Sequence, residues 1–81
     1  MSIAGKVKGL LASNGKTHAG LAAALGISSQ ALSNKLYRDS FSADDLIIIA
    51  DYANCELAFL SAGGSKTVLD KTDTKEQKQT I

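Results

Sequence analysis

Ser42-Ala43-Asp44-Asp45 followed by Leu46-Ile47-Ile48-Ile49-Ala50 constrains this chain more than any other stretch. Serine is a strong N-cap, and an acid three residues on completes a capping box that satisfies free backbone N–H groups at a helix start. Phe41 and Leu46 stand at hydrophobic-staple positions around that cap. Leu46, Ile49, Ala50 and Ala53 form one stripe at helical spacing, and Ile47 and Ile48 widen it around much of the circumference. Such a helix must be buried on more than one side, by other helices, by a later strand or by a second subunit.

Three further helices are legible upstream. Ile3, Val7, Leu10 and Leu11 form an amphipathic stripe over residues 2–13, stopped at Asn14-Gly15. Thr17 is a good N-cap for a second helix that buries Leu21, Ala22 and Leu25 and ends in a tight turn at Gly26. Ser28 caps the third, with Ile27 and Leu32 as its staple and Leu32 and Leu36 as its core face, ending near Tyr37-Arg38.

After Asn54 the pattern changes. Leu57-Ala58-Phe59-Leu60 reads as a short strand, Ser61–Ser65 with Gly63-Gly64 as a turn, and Lys66–Leu69 as the returning strand of a hairpin. The polar stretch from 71 to 81 has no periodicity and is expected to be a disordered tail. The expected fold is therefore mainly α: a compact helix-turn-helix domain of four helices over residues 1–70, closed by a short C-terminal β-hairpin.

With 81 residues and 44% apolar content the core is real but small. A domain this size buries only about 60% of its unfolded surface. A single cysteine, Cys55, excludes an internal disulfide, and no Cys/His cluster has zinc spacing. Self-association is the remaining way to bury more area, and Phe59, Leu60 and Val68 could supply a dimer ribbon or simply pack in the core. One free cysteine fits a reducing compartment. No signal-like N-terminal run is present, and Leu46–Ala50 is far too short to span a membrane, so a cytoplasmic protein is expected.

The net charge of +1 hides an asymmetry. Lys6, Lys8, Lys16, Lys35 and Arg38 precede any acid, whereas Asp39, Asp44, Asp45, Asp51 and Glu56 follow with no base among them. Such a split suits a chain with one side facing a polyanion, although solvated charges can fall this way by chance.

On the third helix, steps of about 100° place Leu32 and Leu36 on one side and Ser29, Gln30, Ser33, Asn34 and Tyr37 on the other. A merely solvated face generally carries Glu and Lys, which favour helix, rather than Ser and Asn, which do not. Amides pair with the N6/N7 edge of adenine and hydroxyls donate or accept, so this acid-free face suits a DNA major groove. Lys35 and Arg38 at its flanks would meet phosphates, as would the backbone N–H groups behind the caps Thr17 and Ser28.

The stretch THAGLAAALGISSQALSNKLYR resembles the helix-turn-helix of the lambda-repressor/Cro-like (XRE-type) family, and FSADDLIIIADYANCELAF resembles its next helix and run-out into a strand. The matching features are Ala22, the Gly26 turn, Ile27 before a serine cap, and inward Leu32 and Leu36. The resemblance covers roughly residues 3–60. It implies base contacts from Ser29, Gln30, Ser33 and Asn34. It implies a backbone phosphate contact from His18, which also supports the first base contact, and backbone contacts from Lys35, Tyr37 and Arg38; Lys16, Thr17 and Ser28, at the helix starts, complete the expected phosphate contacts. His18 stands where the family commonly has Gln. A strand-like segment replaces the family's frequent fifth helix, so its helical dimer interface does not carry over.

The function expected is a sequence-specific transcriptional regulator, in the repressor mode, reading operator double-stranded DNA as a homodimer. The alternative is the same scaffold used as a protein-interaction module, antitoxin-like or anti-repressor, working through the apolar fourth helix and the hairpin. An enzyme is not expected, since no nucleophile–base pair, metal set or phosphate loop is legible. No cofactor, metal or small-molecule substrate is expected. His18 has no companion ligand, Cys55 suits a half-buried junction, and no P-loop lysine/serine pattern follows Gly63-Gly64.

Overall fold

A computed structural model describes residues 2–74. Four helices, α1 (Ile3–Ser13), α2 (His18–Leu25), α3 (Ser29–Arg38) and α4 (Ala43–Tyr52), precede a hairpin of β1 (Leu57–Leu60) and β2 (Lys66–Leu69). A 3-10 helix, Lys71–Asp73, follows.

Each α-helix begins the same way. The hydroxyls of Ser2, Thr17, Ser28 and Ser42 accept from the backbone N–H three residues on, at 2.9–3.0 Å. At Ser42 the box is reciprocal, because its own N–H donates to Asp45 Oδ2 at 3.0 Å. The ends are alike too. Ile27 N–H donates to the Ala22 carbonyl, Ser40 to Lys35 and Cys55 to Ala50, each reaching back five residues over a left-handed residue. Gly26 occupies that conformation (φ 72°) without a β-carbon penalty, as expected. Asp39 (φ 55°) and Asn54 (φ 58°) occupy it as non-glycine residues.

Asp39 performs a second task that its sequence position did not announce. Its Oδ1 accepts from the Ala4 N–H at 2.6 Å, tying the end of α3 to the start of α1 across 35 residues. A carboxylate at a helix N-terminus also opposes the helix dipole favourably.

The core cluster is Val7, Leu11, Leu21, Ala22, Leu32 and Ile49, one or two residues from every helix. Leu10, Leu25, Ile27, Leu36, Phe41, Leu46 and Tyr52 pack around it. Most of the broad apolar surface of α4 is covered within the chain: Ile47, Ile49, Ala50 and Ala53 are buried against α2, β1 and the 3-10 helix, while Leu46 and Ile48 are half-buried. The hairpin pairs Leu57 with Leu69 and Leu60 with Lys66 in antiparallel register, closed at Ser61–Ser65.

The segment from 71 on departs from expectation at its start. Lys71–Asp73 wind into the 3-10 helix, capped by the Asp70 carboxylate, and Lys71 Nζ reaches Asp51 Oδ2 at 3.2 Å. Thr74 is buried. The apolar wall of α4 gives this polar stretch something to lie against. The rest of the expected tail, 75–81, lies outside the described residues.

Replacing Asp39 separates its two tasks. Asp39→Asn keeps the tolerance for positive φ and an acceptor, Asp39→Gly keeps only the backbone freedom, and Asp39→Ala keeps neither. Urea unfolding followed by circular dichroism should rank stability Asn above Gly above Ala, with Ala about 1–3 kcal/mol below the parent chain. Equal stability of Asp39→Ala and the parent would contradict the linkage.

Candidate nucleic-acid interface

The face expected to be functional is built by Leu32. This is the one fully buried residue of α3, and Leu36 and Ala31 are half-buried beside it. With those three turned inward, Ser29, Gln30, Ser33 and Asn34 are all exposed, on two successive turns of the helix. Tyr37 is 91% exposed at the end of the same face, with Arg38 exposed next to it. No acid lies within α3.

The starts of α2 and α3 are equally open. Thr17, His18 and Ser28 are exposed. The cap hydroxyls of Thr17 and Ser28 accept from Gly20 and Ala31, which leaves each hydroxyl proton available to an outside acceptor.

Lys35 is placed differently from expectation. Its Nζ donates to Asp45 Oδ2 at 2.9 Å, and the pair is largely shielded, with side-chain exposures of 32% and 16%. The ammonium therefore joins α3 to α4 instead of standing free at the flank. Burial pushes the Asp45 carboxyl up. The Ser42 backbone N–H, Lys35 and the Ser42 hydroxyl outweigh that and hold it below its ordinary 3.8.

The acidic segment is largely engaged inside the fold. Asp39 holds the Ala4 N–H, Asp45 holds Lys35 and Ser42, Asp51 holds Lys71, and Glu56 holds Lys66 at 2.7 Å. Among the described residues, Lys6, Lys8 and Arg38 stand outside these ion pairs. Lys16 Nζ lies 5.4 Å from the centre of the Tyr52 ring, which contributes attraction without neutralising the charge.

Tyr52, at the end of α4, carries no signal in the sequence that ties it to α2. Its hydroxyl donates to the Thr17 carbonyl at 3.4 Å. Lys35 and Asp45 were each legible, as flank and cap, but two helices meeting at this angle leave no spacing signal for the pair.

Among the described residues no group of His, Cys, Asp or Glu is arranged to hold a metal, and no helix is long and apolar enough to cross a membrane.

Two short helices joined by a left-handed glycine, the second projecting a polar face, define a helix-turn-helix domain. The family model for the bacteriophage CI repressor helix-turn-helix domain matches residues 10–67, more than half of the chain. The chain belongs to that family, one of DNA-binding regulators. Neither the search of curated proteins nor that of solved structures found a match.

The Asp45 pair makes stability depend on acid. A carboxyl held below its unfolded value stabilises the fold fully above that value and stops doing so as pH falls through the lower, folded one. Unfolding free energy measured in urea at a series of acid pH values should fall in that window. Asp45→Asn should flatten the fall; an unchanged profile would contradict the assigned role.

Proposed function

We propose that this chain is a repressor that reads operator DNA in the major groove, as a homodimer, in the cytoplasm. The observation that carries the reading is the coincidence of an outward face of Ser29, Gln30, Ser33 and Asn34 with the absence of acid from α3. Amide and hydroxyl groups at this spacing can address adjacent base pairs, with Gln30 and Asn34 one turn apart as adenine readers. Lys16, Thr17, His18, Ser28, Tyr37 and Arg38 border the face and take phosphate contacts, which orient the domain without selecting sequence. Lys35 contributes in this reading by bracing α3 against α4 through Asp45.

The homodimer is supported by what the hairpin leaves uncovered. Phe59 is 70% and Leu60 74% exposed, with Val68 at 39%. A two-stranded hairpin is marginal in water unless its apolar surface finds a partner. A second copy would place two α3 helices about 34 Å apart, one turn of duplex. The protein-interaction alternative keeps the exposed hairpin but loses part of its helical surface, because Ile47 and Ile49 of α4 are buried while Ile48 is half-buried.

Fluorescence anisotropy with duplex DNA tests the reading. Affinity should fall steeply with salt, by a log–log slope of about 0.9 per phosphate engaged. Gln30→Ala should lose about 1–3 kcal/mol on a selected site while its affinity for random duplex stays near that of the parent. No binding at low salt, or equal loss on both DNAs, would sink the proposal.

Sedimentation equilibrium tests the dimer separately. The parent chain should sediment as a dimer and Phe59→Ser/Leu60→Ser as a folded monomer. A parent chain monomeric at the highest concentrations would remove the hairpin from the account.

A further inference from the structure

We propose that Tyr52, on α4, is a positioning residue of the DNA interface: seated against the first turn of α2, its ring holds the Lys16 ammonium in the arrangement that meets the DNA backbone. This rests on the DNA-reading function above and adds a residue that lies outside the helix-turn-helix pair.

Three observations converge on it. The Tyr52 hydroxyl donates to the Thr17 carbonyl, the backbone of the residue that caps α2. The ring lies under Lys16 Nζ, at 5.4 Å from its centre. Gly20 lets the ring lie so close: a β-carbon built there would collide with the Tyr52 hydroxyl and stand 2.9 Å from Cζ. A single phenol thus touches the residue before the cap, the cap itself and the residue three beyond it. The ring also packs against the apolar core, so α4 has a fixed base from which to act.

The chemistry suits a phosphate ligand. Lysine is a compact cation on a flexible stem, and free in solvent it samples many rotamers. An aromatic face restrains the stem through cation–π attraction, and among the described residues no carboxylate pairs with the Lys16 ammonium. Lys35 is the opposite case, with its ammonium taken by Asp45. Lys16 therefore offers restraint with undiminished charge beside the backbone N–H groups at the start of α2.

The test uses the full chain and a short fluorescein-labelled duplex of random sequence, titrated over a potassium chloride series. The parent and the variants Lys16→Ala, Tyr52→Phe, Tyr52→Leu and Lys16→Ala/Tyr52→Leu are compared. Thermal unfolding of each is followed in parallel. Lys16→Ala should reduce the salt slope by about 0.9. Tyr52→Leu should reproduce most of that reduction and weaken binding about two- to fivefold. Tyr52→Phe, which keeps the ring, should retain the parent slope. In the Lys16→Ala background Tyr52→Leu should change nothing further, because the two act as one unit.

An equal loss from Tyr52→Leu with and without Lys16, or a slope unchanged from the parent, would overturn the proposal. Should Tyr52→Leu fail to fold, Gly20→Ala displaces the ring from the α2 side with Tyr52 intact. It should then show the same slope loss, and a parent slope there overturns the proposal equally. Absence of salt-dependent binding by the parent chain is a separate failure, that of the DNA-reading function itself.

Discussion

Leu32 is the contact on which the arrangement turns. It is the sole fully buried side chain of α3, and it meets Val7, Leu11, Leu21, Ala22 and Ile49 in one cluster. Truncating such a residue to Ala removes about 2–5 kcal/mol, a large share of what a domain of this size holds. Because one aliphatic side chain, helped by Leu36 and Ala31, carries the attachment, the rest of α3 can be polar and outward. The same residue that completes the core therefore defines the face that the core leaves free.

Charge is organised on the same logic. The acids of residues 39–56 look in the sequence like a second surface. In the fold, Asp39 closes the start of α1, Asp45 closes the start of α4 and holds Lys35, and Asp51 and Glu56 hold lysines of the C-terminal segment. With Lys35 taken by Asp45, Lys16 and Arg38 are the cations left to set the field near α2 and α3. A net charge of +1 is thus compatible with a markedly positive face.

Much of this was legible beforehand because it is local. N-caps at Thr17, Ser28 and Ser42, the Gly26 turn and the two strands of the hairpin are all set by residues within a few positions of one another. The outward face of α3 was legible for the same reason, since one helical period fixes it. What escaped was long-range: Asp39 with Ala4, Lys35 with Asp45, and Tyr52 with Lys16 and Thr17. Those pairs depend on how helices cross, which no periodicity encodes. The 3-10 helix after β2 escaped because its composition is polar. Its order comes from its own Asp70–Asp73 capping box together with its contacts on α4.

Selection of bound duplexes from a random DNA pool tests the central claim most directly, that the exposed face of α3 selects sequence. The account predicts enrichment of a two-fold repeat whose half-sites are centred about one DNA turn apart. It also predicts that the repeat is lost when Gln30 and Asn34 are both replaced by alanine. A pool that stays random with the parent chain, or an enriched sequence unchanged by those replacements, would contradict it.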